Sequence, residues 1–503
     1  MKRNTISNKF LSFVVCIGLL VITFNLYQLH LMRCQHTEKY YNARYGGSNG
    51  TSEKRMKKPP VVWIHGNKKG ILHHVKIVFE KLGFAVSSGE RDWDVLWAFD
   101  NPFIGSMSKL MTQLEPHQRV NHFPGTGYIT NEARLLSLKM DSLPKTFRIP
   151  KDEERLLQYA NEYPDTKWVR KNTANGEMKI IALNDLEFVP EGYIVQEFVD
   201  KPFLIEGRKF DIGVYTVLTS LSPLRVYTIN DEHGVRFCPN TYHPFDPLDL
   251  DKYVMKDNYT PIWQIQPFED YFDNKKFSIK ESFNRYMISQ GKNVSKMWSD
   301  IHEIIRDVYL RQQPQMMAAG SKFNSQRNYF ELHRFDFILD DQMNVYLMGV
   351  KYSPKLSSGN FKDNIRLEQH IIYNALRVSR VASMIDNHFH NSDDDTNNMI
   401  SADRDVMVYF DWCSDCHQCQ IIKCMLCKQC LNSQKLAEIK DAYLEHYNRG
   451  GCKRIFPPEL NQTEAQKWTP ETDFYELWKY NDENKFIYVW FIGMCRKDVT
   501  FCI

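Results

Sequence analysis

The chain has 503 residues, 43% hydrophobic and 25% charged, which is an ordinary composition for a globular protein of two or three domains. Its net charge of +3 is too small to indicate a nucleic-acid partner, so we expect no nucleic acid to bind. No internal repeat of about 20 to 50 residues is apparent, which argues against a solenoid fold.

The N-terminal segment is predicted to anchor the chain in a membrane. Residues 10–27 carry no charge, which is near the lower limit for a bilayer-spanning helix, and no small-residue cleavage site follows them. We assign residues 10–31 to an uncleaved signal anchor and residues 32–60 to a polar stem. Three basic residues precede the apolar run, so the positive-inside rule predicts a single-pass type II protein with its body in the lumen of the secretory pathway. A body that faces the cytosol is the alternative.

The body alternates segments typical of strands and helices. The strand-like VVWIHG, the helical ILHHVKIVFEKLGF and the strand-like WDVLWAF predict a small α/β domain at residues 61–150. Residues 151–389 follow an α+β pattern, with strand-like segments KWVRK, YIVQEFV and FDIGVYTVLTS and two long amphipathic helices. Residues 390–404 have the composition of a linker. The apolar run FIYVWFIG at residues 486–493 is predicted to be a core strand.

The C-terminal region, residues 405–503, is rich in cysteine. Nine of the twelve cysteines lie after residue 410, and six of them form a CxxCxxC-x4-CxxCxxC pattern that begins at Cys413. Such spacing gives disulfides in an oxidising compartment and a zinc site in the cytosol. Because of the predicted anchor, we expect disulfides. Four N-glycosylation sequons, at Asn49, Asn258, Asn293 and Asn461, are compatible with a lumenal glycoprotein.

The segment RFDFILDDQMNVYLMGVK, which begins at Arg334, predicts a β-hairpin around the turn-forming DDQMN. A two-residue turn at Gln342 and Met343 would put Asp336 opposite Gly349. Side chains alternate along a strand, so Gly349 and Lys351 would share one face with the Asp336 carboxylate.

Several segments, taken in chain order, resemble the tubulin-tyrosine-ligase-like family. They are DWDVLW and QRVNHFPG in the first domain, and KWVRK, YIVQEFVDKPFLIEGRKFDIGVY, FDFILDD and SPKLSS in the second. The resemblance implies an ATP-grasp ligase core, ATP and magnesium as cofactors, and a protein partner, which would be tubulin if the body is cytosolic. Family members use ATP to activate a carboxylate of tubulin as an acyl phosphate, which an amino acid then attacks.

The resemblance also implies the site residues. The positions that match the family's nucleotide-binding residues are Lys171, Gln196, Glu197, Phe198, Val199, Lys209 and Asp211. Lys209 is in addition the candidate catalytic residue. Asp336 matches the first magnesium carboxylate, whereas Gly349 and Lys351 stand where the family has the glutamate and asparagine that complete the metal shell.

These replacements lead to three hypotheses about function, of which one is a structural, disulfide-stapled lumenal protein whose nucleotide pocket is empty. Magnesium beside Lys351 would be repelled, so we expect this ammonium to take the ion's place and to pair with Asp336. Gly213 likewise stands where the family has an arginine. The first hypothesis is therefore a membrane-anchored pseudoenzyme that acts through binding. The alternative is an active ATP-dependent tubulin polyglutamylase, whose metal shell would need Glu331, Asp340 or Asp341.

Overall fold

The computed structural model describes part of the chain, and residues Pro59–Ile503 form one compact unit within it. The described residues are 58–385 and 405–502, except for 67–69, 88, 173–176, 183–184, 186–188, 231–232, 274, 324–325, 358–360 and 362–363. The predicted anchor, nearly all of the stem and the predicted linker lie outside the described residues. No helix within the described part is long and apolar enough to cross a bilayer.

The first sheet is parallel, with the strand order β2-β1-β3-β4. Its strands are β1 (Val61–His65), β2 (Ala85–Ser87), β3 (Val95–Ala98) and β4 (Arg119–Val120). Helix α1 (His73–Leu82) joins the first two strands and ends at Gly83, whose φ of 99° gives the left-handed C-cap that glycine favours. The predicted strand, helix and strand are thus confirmed here.

The second sheet is antiparallel, with the order β5-β8-β6-β7. Its strands are β5 (Thr146–Arg148), β6 (Trp168–Asn172), β7 (Met178–Ile181) and β8 (Tyr193–Glu197). Helix α5 (Glu153–Glu162) covers one face, where Leu156 and Trp168 belong to a separate small core. The opposite face is left to line a cavity.

The third sheet is the largest and is built around one strand of 14 residues, β10 (Arg208–Leu221). One edge of this strand pairs with β12 and then with β11, and the other edge pairs with β14. The remaining strands of this sheet are β9 (Leu204–Ile205), β11 (Leu224–Ile229), β12 (Gly234–Phe237), β13 (Thr260–Pro261), β14 (Glu331–Leu339), β15 (Val345–Lys351) and β16 (Cys452–Phe456).

The other α-helices pack around these sheets, which gives the α+β architecture that the sequence predicts. The longest, α8 (Val294–Gly320), buries one apolar face against the main core. The rest are α2 (Ser108–Met111), α3 (Gly127–Thr130), α4 (Glu132–Leu135), α6 (Gln266–Asp273), α7 (Ile279–Ser289), α9 (Asn364–Val378), α10 (Ser433–Asn448), α11 (Gln462–Lys467), α12 (Phe474–Trp478) and α13 (Asp482–Lys497).

The C-terminal region is continuous with the large sheet, because β16 pairs with β11. The predicted core strand at residues 486–493 is wrong, since these residues lie within α13 and are buried on every side. A fully buried helix has no polar face, so periodicity cannot distinguish it from a buried strand. The sequence does contain one indication of a helix, the N-cap residue Asn481, whose side chain accepts a hydrogen bond from the backbone N–H of Asn484.

The cysteine pattern forms three disulfides, Cys413–Cys427, Cys416–Cys424 and Cys419–Cys430. Their Cα atoms are 5.3 to 5.5 Å apart, which is within the normal range for a disulfide. A fourth joins Cys495 to Cys502. The six clustered cysteines therefore form disulfides with one another, as the sequence analysis predicts, and do not form a zinc site.

The predicted hairpin is β14–β15, and Asp336 does lie opposite Gly349. The turn differs from the prediction. Asp340 and Asn344 close a three-residue loop whose last residue, Met343, has a φ of 72°. The longer loop shifts the register by one residue, and a bulge between Asp336 and Phe337 shifts it back. The predicted pairing of Asp336 with Gly349 is therefore found although the turn differs.

Candidate functional site

The predicted site residues meet in one cavity of about 430 Å³ between the second and third sheets. The second sheet contributes β6 and β8, and the third contributes β10, β12, β14 and β15. The predicted residues that line it are Lys171, Gln196, Glu197, Phe198, Val199, Lys209, Asp211, Asp336, Gly349 and Lys351. Every site residue carried over from the resemblance thus lies in this cavity.

Lys171, on β6, enters the cavity already hydrogen-bonded. Its Nζ donates to Glu132 Oε1 at 2.7 Å and to Gln196 Oε1 at 2.8 Å. Gln196 is held in turn by its amide nitrogen, which donates to Thr146 Oγ1 at 3.1 Å. Gln196 therefore positions the lysine, and Glu132 balances its charge.

Lys209, on β10, differs because it is only 7% exposed and its ammonium makes no hydrogen bond or ion pair with any described residue. Its ammonium lies 5.2 Å from the centre of the Phe198 ring, a cation–π contact. Burial lowers the pKa of Lys209 to about 8. A buried ammonium that faces a cavity without an anionic partner is suited to receive an anion from solution.

The segment predicted to line the adenine is partly apolar. Phe198 packs against Phe245 and Tyr253, at 5.8 and 5.7 Å between ring centres. Tyr253 and the two residues after it also line the cavity. These side chains give the cavity an aromatic wall, and the Lys209 ammonium lies against it.

Asp211 is paired with an arginine that the sequence analysis did not identify. Arg236, on β12, donates from Nε to Asp211 Oδ1 at 3.0 Å, and from Nη2 to Oδ2. Burial and the nearby charge of Asp336 raise the pKa of Asp211 in spite of Arg236. The same Arg236 lies 3.5 Å from Asp336 Oδ1, so it connects the two carboxylates.

Asp336 is bound by Arg334, not by the expected Lys351. Arg334 donates from Nε to Asp336 Oδ1 at 2.7 Å and from Nη2 to Oδ2 at 3.2 Å, which makes a bidentate pair. Burial favours the neutral acid, but Arg334 and Arg236 outweigh it, so the pKa of Asp336 is lowered. Lys351 is exposed and contributes a weaker favourable charge.

The side chain of Arg334 occupies the space next to Gly213, the position at which the family has an arginine. Arg334 lies on the neighbouring strand, and a Cβ placed on Gly213 would come within 3.1 Å of Arg334 Cδ. The side chain of Arg334 thus fills the volume above Gly213 and brings a guanidinium to the same sheet face. The signal in the sequence was the spacing of Arg334 and Asp336, since residues i and i+2 of a strand share a face.

The residues of this cavity do not fit a magnesium ion. Magnesium prefers near-octahedral oxygen ligands. Arginines occupy both oxygens of Asp211 and of Asp336, and neither Gly349 nor Lys351 carries a side-chain oxygen. Of the three predicted magnesium ligands, only Asp336 is present, and both of its oxygens accept hydrogen bonds from Arg334.

The three other carboxylates considered for this shell do not line the cavity. Glu331 is fully buried, with Oε1 2.8 Å from His122 Nδ1 and Oε2 accepting from the Phe123 amide at 3.0 Å. Asp340 accepts from backbone amides inside the hairpin loop, and Asp341 follows it there. Their contacts are those of structural residues.

A second cavity of about 310 Å³ adjoins the first. Arg236, Arg334 and Lys351 line both, so the cations lie at the junction. The second cavity also contains Trp263 and Lys355, and Lys355 is ion-paired with Asp257 at 2.8 Å. The geometry suits one substrate with phosphates and another that carries a carboxylate.

Comparison with known proteins identifies the family. The model of the tubulin-tyrosine ligase family matches residues 109–388, more than half of the chain. A Caenorhabditis elegans protein named probable tubulin polyglutamylase ttll-15 is 35% identical over 467 residues, which cover 89% of this chain and 88% of that protein. The chain belongs to the tubulin-tyrosine ligase family.

More distant relatives match smaller shares of the chain. Human tubulin polyglutamylase TTLL7 is 26% identical over 430 residues, 76% of this chain and 46% of that protein. Mouse tubulin monoglutamylase TTLL4 is 28% identical over 308 residues, 57% of this chain and 25% of that protein. The chain thus spans most of the worm protein but less than half of these two relatives.

Proposed function

We propose that the protein is an ATP-dependent ligase that uses an ATP-grasp core to attach an amino acid, in the first place glutamate, to a carboxylate of an acceptor protein. The names of the relatives, tubulin polyglutamylase and monoglutamylase, support this reaction over binding alone. The single observation that carries the proposal is the buried ammonium of Lys209, which has no hydrogen-bond or ion-pair partner among the described residues and lies in a cavity of about 430 Å³ with an aromatic wall.

The two cavities match the two halves of this reaction. In the first half, an acceptor carboxylate oxygen attacks the terminal phosphorus of ATP, the bond to the bridging oxygen breaks, and ADP leaves. In the second half, the amine of the incoming amino acid attacks the acyl phosphate, releases inorganic phosphate and gives up a proton to solvent. Lys171 and Lys209 are suited to bind the phosphates, and Arg334 and Arg236 lie where charge builds up between the cavities.

A second candidate is a protein that binds nucleotide without turnover. Its specific support is the engagement of Asp336 by both donors of Arg334, together with Gly349 and Lys351 at positions that would otherwise complete a metal shell. Phosphoryl transfer normally depends on divalent ions to neutralise developing charge. A site with a weakened metal shell would bind the nucleotide and transmit its presence to a partner protein.

The acceptor depends on topology, for which we propose a type II anchor and a lumenal body. A lumenal body excludes tubulin, which is cytosolic, and makes a secreted or membrane protein the acceptor. The four disulfides and the exposed sequons at Asn258, Asn293 and Asn461 support this orientation. Expression in cells, with and without glycosidase treatment, tests it through a change in mobility.

The decisive test supplies the full-length chain with ATP and labelled glutamate, and offers both tubulin and a glutamate-rich peptide as acceptors. Label in either acceptor, with equal release of ADP and phosphate, supports the ligase. Nucleotide binding without ADP release supports the second candidate. Both candidate functions are contradicted if Lys209→Met leaves nucleotide affinity unchanged. Lys296→Met, which replaces an exposed lysine, is the matched control and should not change this affinity.

A further inference from the structure

One row of residues crosses the floor of the site over four neighbouring strands. Gly234 of β12 pairs with Gly213 of β10, Gly213 pairs with Asp336 of β14, and Asp336 pairs with Gly349 of β15. Directly paired positions point to the same face of a sheet, so three of the four places in this row carry no side chain. We call Gly234, Gly213 and Gly349 the glycine trough.

The two ends of the trough are open space. A Cβ on Gly349 would meet no atom within 4 Å, and a Cβ on Gly234 would meet only the backbone oxygen of Gly213, at 4.0 Å. Gly349 lines the first cavity and Gly234 the second. The trough therefore has one open end in each cavity, and the Arg334 side chain crosses its middle above Gly213.

Cations border the trough. Arg334 crosses it above Gly213, Arg236 approaches Asp336 from the neighbouring strand, and Lys351 stands two residues from Gly349 on the same face. The ammonium of Lys351 forms no hydrogen bond or ion pair with any described residue. A guanidinium has five N–H donors, and Asp336 takes two of those of Arg334.

We propose that the terminal phosphate of the nucleotide binds in the glycine trough directly to Arg334, Arg236 and Lys351, without a divalent ion. The open end at Gly349 gives the phosphate oxygens access to the sheet floor. Lys351 supplies a positive charge there, and the N–H donors of Arg334 and Arg236 that Asp336 and Asp211 do not use complete the binding. The inference rests on the proposed binding of ATP, but it concerns how the phosphate is held and not whether ligation occurs.

Position 349 gives a sharp test because the trough is open there. In Gly349→Glu, the new Cβ would meet no atom within 4 Å, and the carboxylate that it carries should repel the phosphate when no metal is present. Gly349→Gln has the same size without the charge and is the matched control. Lys351→Met removes one cation of the trough, whereas Lys355→Met removes a lysine of the second cavity that Asp257 already pairs.

The experiment measures ATP affinity of the full-length chain by calorimetry, once with excess EDTA and once with magnesium. For the unmodified chain we expect the two affinities to differ by less than about fivefold. In EDTA, Gly349→Glu and Lys351→Met should weaken binding by more than about fivefold, and Gly349→Gln and Lys355→Met by less.

Several outcomes would overturn the inference. Magnesium could tighten ATP binding by the unmodified chain by more than about fivefold, in which case the proposed function stands and the metal-free phosphate site does not. Equal losses in Gly349→Glu and Gly349→Gln would mean that size, not charge, matters in the trough. Absence of ATP binding under both conditions removes the inference together with the proposed function.

Discussion

The protein contains two clusters of buried charge, and they differ in how completely their charges are paired. The first joins the large sheet to the C-terminal region through Arg225 of β11, which is 3% exposed. Arg225 donates to Glu445 from Nε at 2.9 Å and from Nη2 at 3.0 Å, and to Glu438 at 3.1 Å. Glu445 also accepts from Thr219 at 2.8 Å. Within the described structure, this cluster supplies its own partners.

The second cluster forms the cavity floor, and it is incomplete. Asp211 and Asp336 are paired with arginines, but the buried ammonium of Lys209 has no anionic partner in hydrogen-bonding contact among the described residues. The nearby ammonium of Lys351 has none either, but it is exposed. Burying an unpaired charge is costly, so a protein retains one mainly where a ligand provides the partner. We therefore infer that the Arg225 cluster stabilises the fold, whereas the cluster in the cavity binds a substrate.

The largest effect on stability should come from Arg225→Met. Removal of this guanidinium leaves two buried carboxylates without their partner, which should lower the free energy of unfolding by about 3–5 kcal/mol. Urea denaturation of the full-length chain measures this change. Arg285→Met, which breaks an exposed pair with Glu281, is the control and should change stability by less than about 1 kcal/mol. Equal effects of the two variants would show that the Arg225 cluster is no more structural than a surface pair.

Lys209→Met should give the opposite result. Stability should be unchanged or higher, because the variant removes a buried charge that has no hydrogen-bond or ion-pair partner among the residues that the structure describes. Nucleotide affinity should fall by about tenfold to a hundredfold, since a hydrogen bond to a charged group contributes about 1.5–3 kcal/mol. Calorimetry and urea denaturation on the same preparation measure both quantities. A large loss of stability with unchanged affinity would place Lys209 with the structural cluster.

The pH dependence of binding should follow from the same residue. Because burial lowers the pKa of Lys209 to about 8, the free protein loses this charge as the pH rises through 8, and nucleotide affinity should fall. Bound phosphate favours the ammonium, so binding above pH 8 should take up a proton. Calorimetry in buffers of different ionisation enthalpy detects this proton. In Lys209→Met the decline should disappear, and a decline that persists would have to come from another group.

The sequence predicted most of the structure that depends on local pattern. Strands and helices with a clear period were found where expected, and Lys171, Lys209 and Asp336, which the resemblance singled out, line one cavity. The pairing of Asp336 with Gly349 was also correct, although the turn was not, because alternation along both strands restricts the register more strongly than the loop does.

What the sequence did not reveal was which charges meet. Arg236 reaches Asp211 from a short strand that had no clear pattern of its own, and Arg334 takes the place expected of Lys351 at Asp336. Both contacts depend on side-chain direction and on pairing between distant strands. The buried helix α13 was missed for a related reason, since its environment and not its period determines its structure.

The smallest effect that we predict concerns Lys171. Its charge is paired, unlike that of Lys209, but less completely than that of Arg225. Its ammonium is shared with Glu132 in the free protein, so a phosphate must compete with that carboxylate. Glu132→Gln should release part of this charge and strengthen nucleotide binding by about threefold, as expected for one partly exposed ion pair. The measurement is the calorimetric affinity, with the exposed Glu154→Gln as the control. Weaker binding in Glu132→Gln would mean that the carboxylate positions Lys171 for the nucleotide, so that even a paired charge in this cavity serves binding.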